Sequence, residues 1–88
     1  MIEKEFMIVN RLGLHARAAA VLVKTTGQFS SEVHLEKDGV EVNGKSIMGV
    51  LMLAAPKGSR VVVRVKGEDQ EQAMKAIGAL IDDGFGED

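Results

Sequence analysis

Apolar and polar residues alternate from Ile2 to Val9, with Ile2, Phe6 and Ile8 on one side and Glu3, Glu5 and Met7 on the other. That period predicts a strand with one buried face, ending at Asn10. After a turn over Asn10 to Leu14 the period lengthens. Ala19, Leu22 and Val23 recur at helical spacing within Ala16 to Thr26, a stretch holding four alanines, and Gly27 stops the helix. Val33 and Leu35 then alternate with Glu32, His34 and Glu36. Asp38-Gly39 is a two-residue hairpin signal, and Val40 and Val42 resume the alternation in a third strand.

At Ser46 the pattern changes again. A hydroxyl suited to capping precedes IMGVLML, where Ile47, Val50 and Leu51 share a helical face, and Pro56 with Gly58 closes the segment. Arg60 to Lys66 reads as a fourth strand with Val61, Val63 and Val65 inward. From Asp69, with Gln72 placed to complete a capping box, Ala73, Ile77, Leu80 and Ile81 form the stripe of a last helix that Gly84 stops. The order is βαββαβα. Four strands with three helices segregated to one face bury all these stripes, so an α+β fold in a single domain over 1–88 is expected.

Eighty-eight residues leave no room for a second core, so one site or one face must carry the function. Three Phe and no Trp or Tyr imply a core of aliphatic residues and Met. With no Cys there is no thiolate nucleophile and no sulfur-bound zinc, and two His give no metal spacing; neither metal nor cofactor is expected. The net charge of −2 offers no field to attract nucleic acid, and the aromatics that stack on bases are nearly absent. MIEKEFMIV has no basic leader pattern, and the longest apolar run, IMGVLMLAAP, is far short of the ~18 residues that span a bilayer. A cytoplasmic protein is expected, with neither nucleic acid nor membrane as partner.

The chemistry concentrates in NRLGLHARAAAVLVK, residues 10–24, where His15 and Arg17 stand at the mouth of an apolar helix. If the helix begins at Ala16, His15 is its N-cap. The free N–H groups of Ala16, Arg17 and Ala18 then converge beside the imidazole and favour an anion. A neutral ring there keeps one nitrogen lone pair as a nucleophile, and Arg17 with the amides would stabilise a phosphoryl group placed on it. Phosphoryl transfer suits so sparse a site, because positioning and charge stabilisation do most of the work. On residues alone, His15 as a plain cap and Arg17 as a solvated charge remains open.

GLHARAA together with GKSIMGVLML, on this order of elements, resembles the histidine-containing phosphocarrier (HPr) family of the bacterial phosphoenolpyruvate-dependent sugar phosphotransferase system, from about Ile2 to Phe85. The resemblance implies an open-faced β-sandwich, a four-stranded antiparallel sheet covered by three helices, and a carrier with no turnover of its own. His15 would accept a phosphoryl group on Nδ1 from enzyme I and pass it to the A component of sugar permeases, with Arg17 neutralising charge. Where most members have Pro after the Arg, this chain has Ala18, which supplies an N–H that Pro lacks.

Ser46 is first a helix cap; the resemblance adds phosphorylation by an HPr kinase/phosphorylase. A helix of two turns cannot bury Ile47, Met48, Leu51 and Met52 on one side. With Ala20, and ringed by Arg17, Lys24 and Lys45, these residues are the expected docking patch for acidic partners, and partly covered core positions are the alternative. A monomer would present such a face most simply. His34 reads as solvated, and GVEVNGKS lacks the spacing of a P-loop. Three other functions compete: the nitrogen-regulatory branch of the same system, suggested by the ending DDGFGED; an acylphosphatase-type hydrolase using Arg17 and Asn43; and a pure interaction module.

Overall fold

A computed structural model describes residues 1–87. The strands are β1 (Ile2–Met7), β2 (Glu32–Lys37), β3 (Val40–Asn43) and β4 (Arg60–Lys66); the helices are α1 (Ala16–Thr26), α2 (Ile47–Met52) and α3 (Gln70–Asp82), followed by a 3-10 turn, Gly84–Gly86. The sheet is antiparallel in the order β1-β4-β2-β3, with three helices over one face. The inward set of β4, Val61, Val63 and Val65, is fully covered because this strand has a neighbour on each side and α3 above it. These valines meet Leu22 of α1, Val50 of α2 and Ile77 and Ile81 of α3 in one cluster.

Alternation predicts the first strand to Val9, whereas β1 ends at Met7. Pairing persists in looser form, since the Ile8 N–H donates to the Ser59 carbonyl at 2.9 Å and Ile8 stays buried. The hairpin between β2 and β3 turns through Asp38 (φ 51°) and Gly39 (φ 82°), the pair of positive angles a primed turn needs. Val40, expected inward, is half exposed. It lies on a four-residue edge strand that, among the described residues, pairs with β2 alone. Gly78 lets α3 approach β1, since a Cβ there would meet the Phe6 ring at 2.9 Å.

The expected capping box on α3 does not form. The Asp69 carboxylate turns away from its own helix to accept the N–H groups of Ser30 (2.9 Å) and Ser31 (3.0 Å) and both hydroxyls. Four donors reaching across from the segment before β2 outcompete the helix's own first turn. The Ser31 and Ser30 bonds hold the Asp69 carboxyl down at about 2. On the open face of the sheet, Arg64 is clasped by Glu3, Glu36 and Glu41 from the other three strands.

Candidate functional site

The turn before α1 is pinned to the segment that follows α2. Gly13 (φ 68°) sits against Pro56, where a Cβ would come within 2.9 Å of its Cα, and the Leu14 N–H donates to the Ala55 carbonyl at 2.9 Å. His15 follows in extended conformation (φ −76°, ψ 178°) as the N-cap of α1, and its carbonyl starts the helix by accepting the Ala19 N–H.

Among the described residues each ring nitrogen of His15 has one partner. Nδ1 accepts from the backbone N–H of Arg17 at 3.3 Å, and Nε2 lies 2.7 Å from Oε1 of Glu87. A backbone amide only donates and a carboxylate only accepts. The neutral ring that fits both contacts therefore carries its hydrogen on Nε2 and its lone pair on Nδ1, on the helix side. The His15 side chain is 27% exposed.

The expected amide cradle is uneven. Ala16 and Arg17 are exposed, whereas Ala18 is wholly buried among the core residues, so its N–H is not open to solvent. With no Pro ring at that position, the Ala18 methyl tucks into the core. Among the described residues the Arg17 guanidinium has no carboxylate within 4.0 Å.

Two residues of this site escaped the sequence analysis. Glu87 comes back to His15 because the turn after α3 runs through three left-handed residues, Gly84 (φ 64°), Phe85 (φ 59°) and Gly86 (φ 75°), with the Phe85 ring driven into the core as an anchor. Its carboxylate also accepts from Nδ2 of Asn10 at 2.8 Å, and the same amide nitrogen donates to the Gly13 carbonyl at 2.7 Å. The Asn10 amide first, and then the His15 ring, keep the Glu87 carboxyl below its ordinary range. The acidic run DDGFGED was visible as composition; its pairing across seventy-two positions was not.

Around Ser46 the cap is as expected, with Oγ accepting the Gly49 N–H at 3.1 Å. Within α2 itself, among the described residues, only Val50 is buried, and Leu53 just after the helix joins it in the core. Met48 and Met52 are each 72% exposed, Ile47 is exposed and Leu51 half-buried, so Ile47 does not join the core stripe. Two turns of helix packed against α1 and β3 are held by Val50, by Leu51 partly buried against the core and by Leu53 at the helix's end. Ala20 and Lys24 are exposed on α1. Lys45 is not a free cation: its Nζ donates to the Phe29 carbonyl at 2.6 Å. Nearby, the buried Thr26 hydroxyl donates to the Gly44 carbonyl at 2.8 Å. Asn43 spends Oδ1 on the Lys45 N–H, and His34 stands half-buried on the open face of the sheet.

A family model described as PTS HPr component phosphorylation site matches residues 2–83. The chain belongs to the HPr family. It is 50% identical over 88 residues to the phosphocarrier protein HPr of Xylella fastidiosa (strain 9a5c), covering all of this chain and 99% of that one. HPr-C-His from Thermoanaerobacter tengcongensis superposes with a TM-score of 0.96 at 45% identity, covering 100% and 99% of the two chains. A structure described as an HPr dimer from the same organism gives 0.79 at 46% identity, covering 99% and 100%. The α+β architecture with its βαββαβα order is thus the HPr fold, and the function is that of an HPr phosphocarrier. Neither the nitrogen-regulatory branch nor a hydrolase is favoured by these relatives. Among the described residues, no helix is long and apolar enough to cross a membrane.

Proposed function

We propose that His15 is the residue that carries the phosphoryl group, and that it does so on Nδ1. One observation carries this reading: the ring's two nitrogens are differentiated, Nε2 toward a carboxylate and Nδ1 toward the exposed start of α1. The Nδ1 lone pair attacks phosphorus on the phosphohistidine of enzyme I. As the new N–P bond forms, the donor's N–P bond breaks and its electron pair returns to the donor imidazole, while Nε2 keeps its hydrogen. The Arg17 guanidinium and the amides of Ala16 and Arg17 offset the arriving charge, each charge-assisted bond contributing ~1.5–3 kcal/mol. Passage to the A component of a sugar permease is the same displacement with His15 as donor.

Enzyme I and the permease A components dock on the face formed by Ile47, Met48, Leu51 and Met52 of α2, with Ala20, Arg17 and Lys24 of α1 beside it. The exposure of both methionines supports this, since flexible thioether side chains adapt to partners of different shape. Lys45 serves this face mainly by fixing the loop before α2. Phosphorylation of Ser46 by an HPr kinase/phosphorylase would set a charge of about −1.5 to −2 within the docking face and weaken binding of acidic partners. The carrier works in the cytoplasm as a monomer, which leaves the face open to successive partners.

Incubation with phosphoenolpyruvate and enzyme I tests this reading. Intact mass should rise by one phosphoryl group, labile in acid and stable in base, and His15→Ala should gain none. Labelling of His15→Ala to the wild-type extent would refute the assignment.

A further inference from the structure

The contact between Glu87 and His15 does more than close the turn after α3. We propose that Glu87, held in place by Asn10, is a positioning residue for phosphoryl transfer: it locks the His15 ring with hydrogen on Nε2 and the Nδ1 lone pair presented to the phosphoryl donor. The inference rests on the reading of His15 as the acceptor.

Three observations converge on it. Glu87 is itself held, its side chain only 19% exposed and its Oε1 shared between the His15 ring and the Asn10 amide. Asn10 is buried to 1% exposure, and its Nδ2 spans Glu87 and the Gly13 carbonyl while its Oδ1 has no hydrogen-bond partner among the described residues. A buried orphan acceptor costs ~1–3 kcal/mol. An apolar side chain in that place would avoid the cost, so what recommends Asn is the reach of its NH₂. The third observation is the turn. Phe85, a bulky residue at φ 59°, occupies a conformation that L residues rarely adopt, and it does so where the chain must reverse to bring Glu87 over His15.

The chemistry benefits in both states of the ring. Before transfer, the Nε2–H bond to the carboxylate removes the tautomer whose Nδ1 is blocked by hydrogen and limits rotation about the ring's attachment. After transfer, a ring bonded to phosphorus at Nδ1 and to hydrogen at Nε2 carries positive charge, and the carboxylate lies directly on that hydrogen. Repulsion between Glu87 and the incoming phosphoryl group opposes this. The two act on different ring nitrogens, however, and the Arg17 guanidinium, with no carboxylate within 4.0 Å among the described residues, can offset the charge.

The test uses the full chain and two variants, Glu87→Gln and Glu87→Ala. Single-turnover phosphorylation is followed by rapid quench with phosphorylated enzyme I in excess, and ring ¹⁵N spectra of His15 are recorded alongside. Glu87→Ala should slow labelling about tenfold, the part of one charge-assisted hydrogen bond realised in transfer. It should also lose the slowly exchanging Nε2–H signal of the wild type. Glu87→Gln, whose amide oxygen still accepts, should retain that signal and recover most of the rate. A variant Glu87→Ala that keeps both the wild-type rate and the protected Nε2–H overturns the inference while leaving His15 as acceptor. Wild type that enzyme I cannot label overturns both readings. Equal slowing of Gln and Ala variants, with the Nε2–H signal kept in each, overturns the positioning role.

Discussion

Replacing Met48 and Met52 together with Ser separates docking from folding. Each is 72% exposed and neither belongs to the buried cluster, so the double variant should unfold within ~0.5 kcal/mol of the wild type. Fully burying one Met side chain is worth ~1.5–3 kcal/mol, and about three-quarters of each is available to a partner, which gives a ceiling near 2–4 kcal/mol for the pair. Association recovers only part of such a ceiling, because side-chain ordering and imperfect desolvation take the rest. A loss of about 2 kcal/mol, roughly 30-fold in Kd for enzyme I, is the expected outcome by calorimetric titration. Labelling at saturating enzyme I should keep its wild-type rate, since His15, Arg17 and Glu87 are untouched. Binding within twofold of wild type, with the fold intact, would refute the assignment of this face.

Two further predictions concern stability. Ala54, exposed just past the end of α2, has φ 48°, where an L residue is disfavoured by ~1–2 kcal/mol; Ala54→Gly should stabilise the protein by ~0.5–1 kcal/mol after the greater freedom of glycine in the unfolded chain is subtracted, read as a higher Tm with unchanged labelling. Asp69 titrates at about 2 when folded against an ordinary 3.8, so its bonds to Ser30 and Ser31 stabilise fully above about pH 4 and fade as pH falls toward 2. Asp69→Asn should therefore melt below wild type at neutral pH, with the two curves converging by about pH 2; a gap that stays constant over that window would contradict the assignment.

What the sequence made legible was what neighbouring residues decide. α1 follows from four alanines, an apolar stripe and Gly27, and β4 from three alternating valines, all within one element. His15 as a cap needed only its place before Ala16. Periodicity marks which side of an element is apolar, but it is blind to how far the rest of the fold extends above it. Ile47 and Val40 carry the right residue types for burial and lie at the margins, on a two-turn helix and an edge strand. Asp69 shows the same limit for polar groups: its local cap partner lost to serines thirty-eight and thirty-nine positions away. Glu87 and Asn10 were invisible for a stronger reason. Their meeting depends on three left-handed residues in a row, one of them a phenylalanine, which no turn propensity would suggest.

The end of α1 is fastened to the loop that begins α2, through the Thr26 hydroxyl on the Gly44 carbonyl and the Lys45 ammonium on the Phe29 carbonyl. That joinery turns two addresses on the chain into marks on one ruler: any protein that straddles His15 and Ser46 finds them at a spacing set in advance. A charge added at one mark would then be felt at the other through the visitor that spans both, with no rearrangement of the carrier required.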